Sequence, residues 1–157
     1  MNIVNHVAFI MDGNGRWGKK KKRGRNFGHL KGVEVVKKVV QSSIKNKIPV
    51  VTFYVFSSEN WTRPKREIDY LFRLINNYFS KNILNTVKEG IKINILGEID
   101  KLPKDIKKTL KSAINKTKKN KKILVNLAIN YGSKKEILIA IKKNKKKVNQ
   151  ANFEENL

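Results

Sequence analysis

His6-Val7-Ala8-Phe9-Ile10-Met11-Asp12-Gly13-Asn14-Gly15-Arg16-Trp17 carries an apolar run straight into a carboxylate, followed by two glycines, an arginine and a stretch of positive charge. A buried strand delivers an acid to the edge of a sheet in this way. Glycines at 13 and 15 open turn conformations closed to other residues and let backbone N–H groups approach a bound anion. Asp12 can then hold a hard divalent cation while Arg16 and the backbone donors take phosphate oxygens. From the glycines alone an ordinary tight turn is the commoner reading, because the spacing is neither the dinucleotide nor the P-loop pattern.

Outward from that stretch, Lys19 to Arg25 reads as a basic loop broken by Gly24, and Phe27-Gly28-His29 leads into a helix. Val33, Val36, Val40 and Ile44 fall on one face of that helix, which ends near Asn46. Val50 to Phe56 is a β-branched and aromatic run with apolar residues on both alternations, a strand covered on both faces. Pro64 then opens a helix to about Lys88, with Ile68, Leu71, Ile75 and Phe79 on one face and Phe72, Leu74 and Tyr78 widening it. Lys92 to Leu96 is a third strand, Pro103 opens a helix with Ile106, Leu110 and Ala113 on one face, and Ile123 to Ile129 is a fourth strand. A last helix, Lys134 to about Lys147, carries Ile137, Leu138 and Ile141 inward.

Strand and helix alternate four times with short connections, across residues 1–157 read as a single domain. That pattern predicts an α/β fold: an open, mainly parallel sheet of at least four strands with helices on both faces. Ligands of such sheets sit outside the carboxyl ends of the strands. Asp12 to Arg16, Ser57 to Arg63 and Asn130 to Ser133 all fall at that edge. Their convergence points to a site.

Composition narrows the chemistry. The chain has no cysteine and two histidines, which removes disulfide and thiolate chemistry, leaves little for a His-based zinc site, and points any metal toward the hard ions. The longest nearly apolar run, Ile48 to Phe56, falls far short of the ~20 residues of a membrane helix, so the expected location is the cytoplasm. Against 12 Asp and Glu stand 36 Lys and Arg, a formal charge of +24. Nucleic acid, an anionic membrane surface or a polyphosphate substrate would all be attracted, and charge alone does not choose among them. Heavy use of lysine, asparagine and isoleucine also fits a biased genome.

The motifs choose. The stretch from His6 to Trp17, then Arg25 and Phe27-Gly28-His29, then Phe56-Ser57-Ser58-Glu59-Asn60-Trp61 with Arg63-Pro64, then Asn130-Tyr131-Gly132, resemble in order the signatures of the cis-prenyltransferases. These isoprenyl transferases include undecaprenyl diphosphate synthase. The resemblance implies that isopentenyl diphosphate adds repeatedly to an allylic diphosphate such as farnesyl diphosphate, with Mg2+ required. The product implied by the resemblance is a cis-polyprenyl diphosphate, the lipid carrier for cell-wall synthesis. It implies that Asp12 handles metal and diphosphate, and that Gly13, Asn14, Gly15 and Arg16 form a loop around the allylic diphosphate, with Trp17, Arg25 and His29 nearby. Ser57, Ser58, Glu59, Trp61 and Arg63 match the second substrate motif, in which Asn60 is the candidate for assisting proton removal. An amide is a poor base, so its role here is read as positioning, with the diphosphate as acceptor. Core packing is an equal alternative for Trp17 and Trp61, and a solvated loop is the plainer reading of Lys19 to Lys22. The face from Ile68 to Leu84, with Phe72, Tyr78 and Phe79, would form one wall of a hydrophobic tunnel.

Family members run on past residue 157 into further strands, an arginine cluster with a serine, and a glutamate that shares the metal. Nothing in Lys142 to Leu157 matches those motifs, and Glu154 and Glu155 do not replace them. The expectation is therefore an incomplete cis-prenyltransferase domain, impaired by itself, with the carboxyl-terminal part of the family fold absent and an exposed apolar sheet edge. The resemblance also implies a homodimer in the full-length form, and peripheral contact with an anionic membrane is a further expectation. A non-catalytic subunit of a heteromeric prenyltransferase and a basic nucleic-acid-binding module are the alternatives. The first conflicts with the intact Asp12 to Trp17 motif, and the second lacks any recognition motif.

Overall fold

The computed structural model describes residues 4–143. Strands β1 (His6–Ile10), β2 (Val50–Ser57), β3 (Ile91–Leu96) and β4 (Ile123–Tyr131) form one sheet in the order β1-β2-β4-β3, every pair parallel. Parallel strands need long crossovers, and helices supply them. Helices α1 (Asn14–Lys20) and α2 (Gly24–Lys45) join β1 to β2, α3 (Lys65–Lys88) joins β2 to β3, and α4 (Lys104–Thr117) joins β3 to β4. α5 (Ser133–Lys143) follows β4. All carboxyl ends consequently lie at one edge, where Asp12, Ser57 to Arg63 and Asn130 to Ser133 are gathered.

One face of the sheet supplies the core. Val51, Phe53, Ile93, Val125 and Ile129 are buried there with Val40 of α2 and Phe72 and Phe79 of α3. Each such side chain contributes roughly 1.5–3 kcal/mol. The other face carries a hydrogen-bonded row across all four strands: His6 Nε2 lies 2.8 Å from Thr52 Oγ1, Asn126 Nδ2 donates to Thr52 Oγ1 (3.1 Å), and Asn94 Nδ2 donates to Asn126 Oδ1 (2.9 Å). Thr52 and Asn126 are buried partners in register, so their polar atoms satisfy one another. The outer edge of β3 is closed by α4, whose Thr117 hydroxyl accepts the Ile93 N–H (3.0 Å) and donates to the Ala113 carbonyl (2.8 Å). Among the described residues no helix is long and apolar enough to cross a membrane.

Several expectations change. Asn14 to Lys20 is helical rather than loop: Gly13, at φ +84°, turns the chain directly out of β1 into α1. The two helices then pack backbone to backbone, since a methyl group at Gly28 would overlap the Asn14 carbonyl and one at Gly18 the Gly24 carbonyl. Seven residues are too few to show a helical apolar period. Ser58–Thr62 forms a 3-10 turn. The full double-sided burial expected of β2 fails at Tyr54, which is exposed near the strand's carboxyl end and tilts against Tyr131 at 5.7 Å. In α5 it is Ala140 that is buried, whereas Ile137, Leu138 and Ile141 are exposed, their stripe having no partner among the described residues. The predicted extension to Lys147, and Glu154 and Glu155, lie outside the described residues.

Candidate active site

Asp12 sits where β1 hands over to α1. Its Oδ1 accepts the Gly13 N–H (2.6 Å) and its Oδ2 accepts Arg16 Nη2 (2.7 Å). The Gly13 N–H and then the Arg16 charge hold this exposed carboxyl below the usual range, so it is ionised at neutral pH. Gly15 faces Arg25: a Cβ there would come within 3.0 Å of the guanidinium carbon. No group of three or more His, Cys, Asp or Glu side chains assembles among the described residues. A lone hard carboxylate beside an anion pocket nonetheless fits Mg2+, which commonly takes one or two protein carboxylates and completes its shell with waters and substrate phosphates.

The second acid is one the sequence reading missed. Glu67, in the first turn of α3, is nearly buried and accepts Arg25 Nε (2.8 Å) and Nη2 (2.9 Å) in a two-pronged pair. It also meets His29 Nε2 (3.1 Å) and Arg63 Nη1 (3.3 Å). One carboxylate thus fixes three residues from two segments, Arg25 and His29 of α2 and Arg63 after the 3-10 turn. The Arg25 hydrogen bonds push its pKa down, and burial pushes that of His29 down, favouring the neutral imidazole. The available signal was Arg63 four residues before Glu67, a spacing that pairs side chains at a helix start.

The second motif is a rigid 3-10 turn. Asn60 Oδ1 accepts the Ser57 N–H (3.1 Å), and the Ser57 side chain takes the Asn60 N–H, a reciprocal capping box. Asn60 Oδ1 is therefore already engaged with backbone, which suits positioning better than proton acceptance. Trp61 Nε1 donates to Asn130 Oδ1 (2.8 Å) and its ring packs edge-on against Phe56 and Phe72. Asn130, at φ +53°, in turn donates from Nδ2 to the Glu98 carbonyl (3.0 Å), so the third motif braces the second. The Tyr131 hydroxyl donates to Glu136 (2.6 Å), which pushes the phenol up to about 12.

Three adjoining spaces run inward from this edge. The outermost, about 260 Å3, is lined by Asp12, Gly13, Asn14, Gly15, Arg16, Arg25, His29 and Arg63. The next, about 470 Å3, shares Asp12, Asn14, His29 and Arg63, adds Ser57, Glu59 and Asn60, and is walled by Val36, Leu71, Leu74 and Ile75. Behind it about 100 Å3 of almost wholly apolar space lies between α2, α3 and the sheet, lined by Val40, Tyr78, Phe79, Ile91 and Ile93 among others. Eleven predicted site residues line these spaces; Trp17, Ser58 and Trp61 do not. Trp17 stacks on Phe27, Ser58 lies against Gly132, and Trp61 braces Asn130. Of the predicted apolar wall, Phe72 packs instead against Phe56, and Leu84 faces solvent.

A family profile described as "Putative undecaprenyl diphosphate synthase" matches residues 10–157. The chain belongs to this prenyltransferase family. An isoprenyl transferase of Clostridium tetani is 44% identical over 141 residues, which cover 90% of this chain and 55% of the relative. One from Halalkalibacterium halodurans is 42% identical over 146 residues, covering 93% and 57%. The chain thus spans little more than half the length of these prenyltransferase relatives. Among solved structures, lavandulyl diphosphate synthase from Lavandula x intermedia, in complex with dimethylallyl diphosphate, superposes with a TM-score of 0.92 at 26% identity, over 99% of this chain and 71% of the other. A probable undecaprenyl diphosphate synthase from Campylobacter jejuni gives 0.82 at 29% identity, over 100% and 70%. The open parallel α/β sheet expected from the alternation is thus the prenyltransferase fold.

Proposed function

We propose that the protein acts as a cis-prenyltransferase, condensing isopentenyl diphosphate with an allylic diphosphate such as farnesyl diphosphate to make a cis-polyprenyl diphosphate. Its product would be the undecaprenyl-type lipid carrier for cell-wall synthesis. The observation that carries this reading is the continuity of a cationic mouth with an apolar interior. Asp12, Arg16, Arg25 and Arg63 line the entrance, and leucine, isoleucine and valine side chains of α2 and α3 line the space behind. A molecule with a diphosphate head and a hydrocarbon tail matches both halves.

Each residue has a physical task. Departure of diphosphate builds negative charge on the leaving group, and Arg16, Arg25 and Arg63 are preorganised to receive it, two of them by Glu67. Mg2+ held by Asp12 would supply further charge stabilisation to the diphosphate oxygens. Asn14 and His29 border both the mouth and the inner cavity. Asn60 and Ser57 set the rim, so Asn60 orients the second substrate while its diphosphate accepts the proton. Leu71, Leu74 and Ile75 keep water from the growing chain. The functional form is a homodimer in the cytoplasm that meets an anionic membrane peripherally, where a long lipid product has to go.

The test is Mg2+-dependent incorporation of labelled isopentenyl diphosphate into butanol-soluble product, with farnesyl diphosphate as starter, by the whole protein and its Asp12→Ala and Asn60→Ala variants. Loss in both is expected. Unchanged turnover in Asn60→Ala removes its assigned role, and unchanged turnover in Asp12→Ala removes the site.

A further inference from the structure

Trp17, like Ser58 and Trp61, is a motif residue that does not line the cavities, and unlike Trp61 its indole makes no hydrogen bond to another motif among the described residues. Its indole is 43% exposed and stacks on Phe27 at 5.7 Å and 11°. One helical turn past Phe27, Leu30 is 42% exposed. Around this apolar spot the chain has no acid from Gly13 to Val33, while Lys19, Lys20, Lys21, Lys22 and Arg23 are all exposed at the α1/α2 turn. The Arg23 guanidinium lies 4.4 Å from the Phe27 ring centre, whereas the Lys31 amine, 5.9 Å from it, is paired with Glu34 (2.8 Å) and adds no free charge.

We infer that this α1/α2 corner is a docking face for a bilayer carrying anionic lipid. An indole at headgroup depth, a leucine beside it and a ring of cations are what such a surface takes up. Each cation near it strengthens binding about fivefold. The exposed lysines of α4 offer charge only, since no large hydrophobic residue of α4 is exposed. Nucleic acid is the weaker match, because a phosphate backbone draws on cations alone and gives no use for an exposed tryptophan-leucine pair. The corner adjoins the mouth, whose Arg16 and Arg25 belong to the same two helices. The purpose of docking, delivery of a lipid product, rests on the prenyltransferase reading; the test below reads lipid binding alone.

Flotation with vesicles of phosphatidylcholine, with and without phosphatidylglycerol, at physiological salt is the experiment. The wild type should float with the anionic vesicles and not the neutral ones, with a blue shift of tryptophan emission that Trp17→Phe removes. The pair Lys21→Glu and Lys22→Glu should weaken binding by roughly 25-fold or more, whereas Lys104→Glu with Lys108→Glu, the same change in net charge on α4, should leave most of it. Equal loss in both pairs, no binding to anionic vesicles, or corner-dependent binding to duplex DNA in place of vesicles would overturn the inference.

Discussion

Replacing Glu67 by Gln keeps the shape of the side chain and removes its charge. Arg25 then faces an amide with one acceptor oxygen in place of the carboxylate that holds both of its prongs, and Arg63 and His29 lose the charge of their shared acceptor. Breaking a fully buried ion pair costs about 3–5 kcal/mol, and an exposed one about 0–1 kcal/mol. The Glu67 side chain is 9% exposed but its partners Arg25 and Arg63 are 37% and 32% exposed, so the pairing lies between those limits. A loss of about 2–3 kcal/mol is expected, near the value of one or two hydrogen bonds to a charged group. Urea unfolding followed by circular dichroism on wild type, Glu67→Gln, Arg25→Gln and the double variant gives a coupling energy directly. Coupling of at least about 1 kcal/mol is predicted, inside the range of about 0.5–3 kcal/mol for residues in one salt-bridge network. A Glu67→Gln loss below about 0.5 kcal/mol, the ordinary scale of surface substitutions, would refute the view that this carboxylate organises the site.

Three further outcomes are expected. Trp61→Phe removes the donor to the buried Asn130 Oδ1 and should cost about 1–3 kcal/mol in urea unfolding. Gly28→Ala drives a methyl into the Asn14 carbonyl and should cost about 3 kcal/mol or prevent folding, whereas Gly24→Ala, with open space but φ +76°, should cost about 1–2 kcal/mol; thermal melts of the two distinguish packing from backbone strain. Stability should fall with pH in two stages: His29, its folded pKa lowered from 6.5 chiefly by burial, favours unfolding as pH drops below 6.5, and Glu67, lowered from 4.5 by Arg25, contributes stability above 4.5 that is lost as pH falls through its folded value. The second stage, read from urea midpoints, should be smaller in Glu67→Gln, where Asp12, Glu98 and Asp100 keep their own lowered pKa values.

The alternation of strands and helices was legible because long elements announce themselves by period. Val33 to Ile44 and Ile68 to Phe79 repeat at helical spacing, and Val50 to Phe56 has strand length and composition. The site was legible where strand ends meet polar clusters, which is how Asp12, Asn60 and Asn130 came to one edge. Helix α1 was illegible because its seven residues expose charge on most sides and its packing rests on glycine contacts that only the three-dimensional path reveals. Glu67 was hidden for a related reason: its partners Arg25 and His29 lie some forty residues away in sequence. Trp17 and Trp61, which the motif implies are at the substrate, do not line the cavities; Trp17 stacks on Phe27 and Trp61 donates to Asn130.

The most direct measurement of the central claim is calorimetric binding of farnesyl diphosphate, with and without Mg2+, to the folded chain and to Asp12→Ala. Mg2+-strengthened binding to the wild type that is lost or sharply weakened in Asp12→Ala is the predicted result. No binding to a well-folded wild type, or identical binding by the variant, would contradict the assignment of this edge as a diphosphate site.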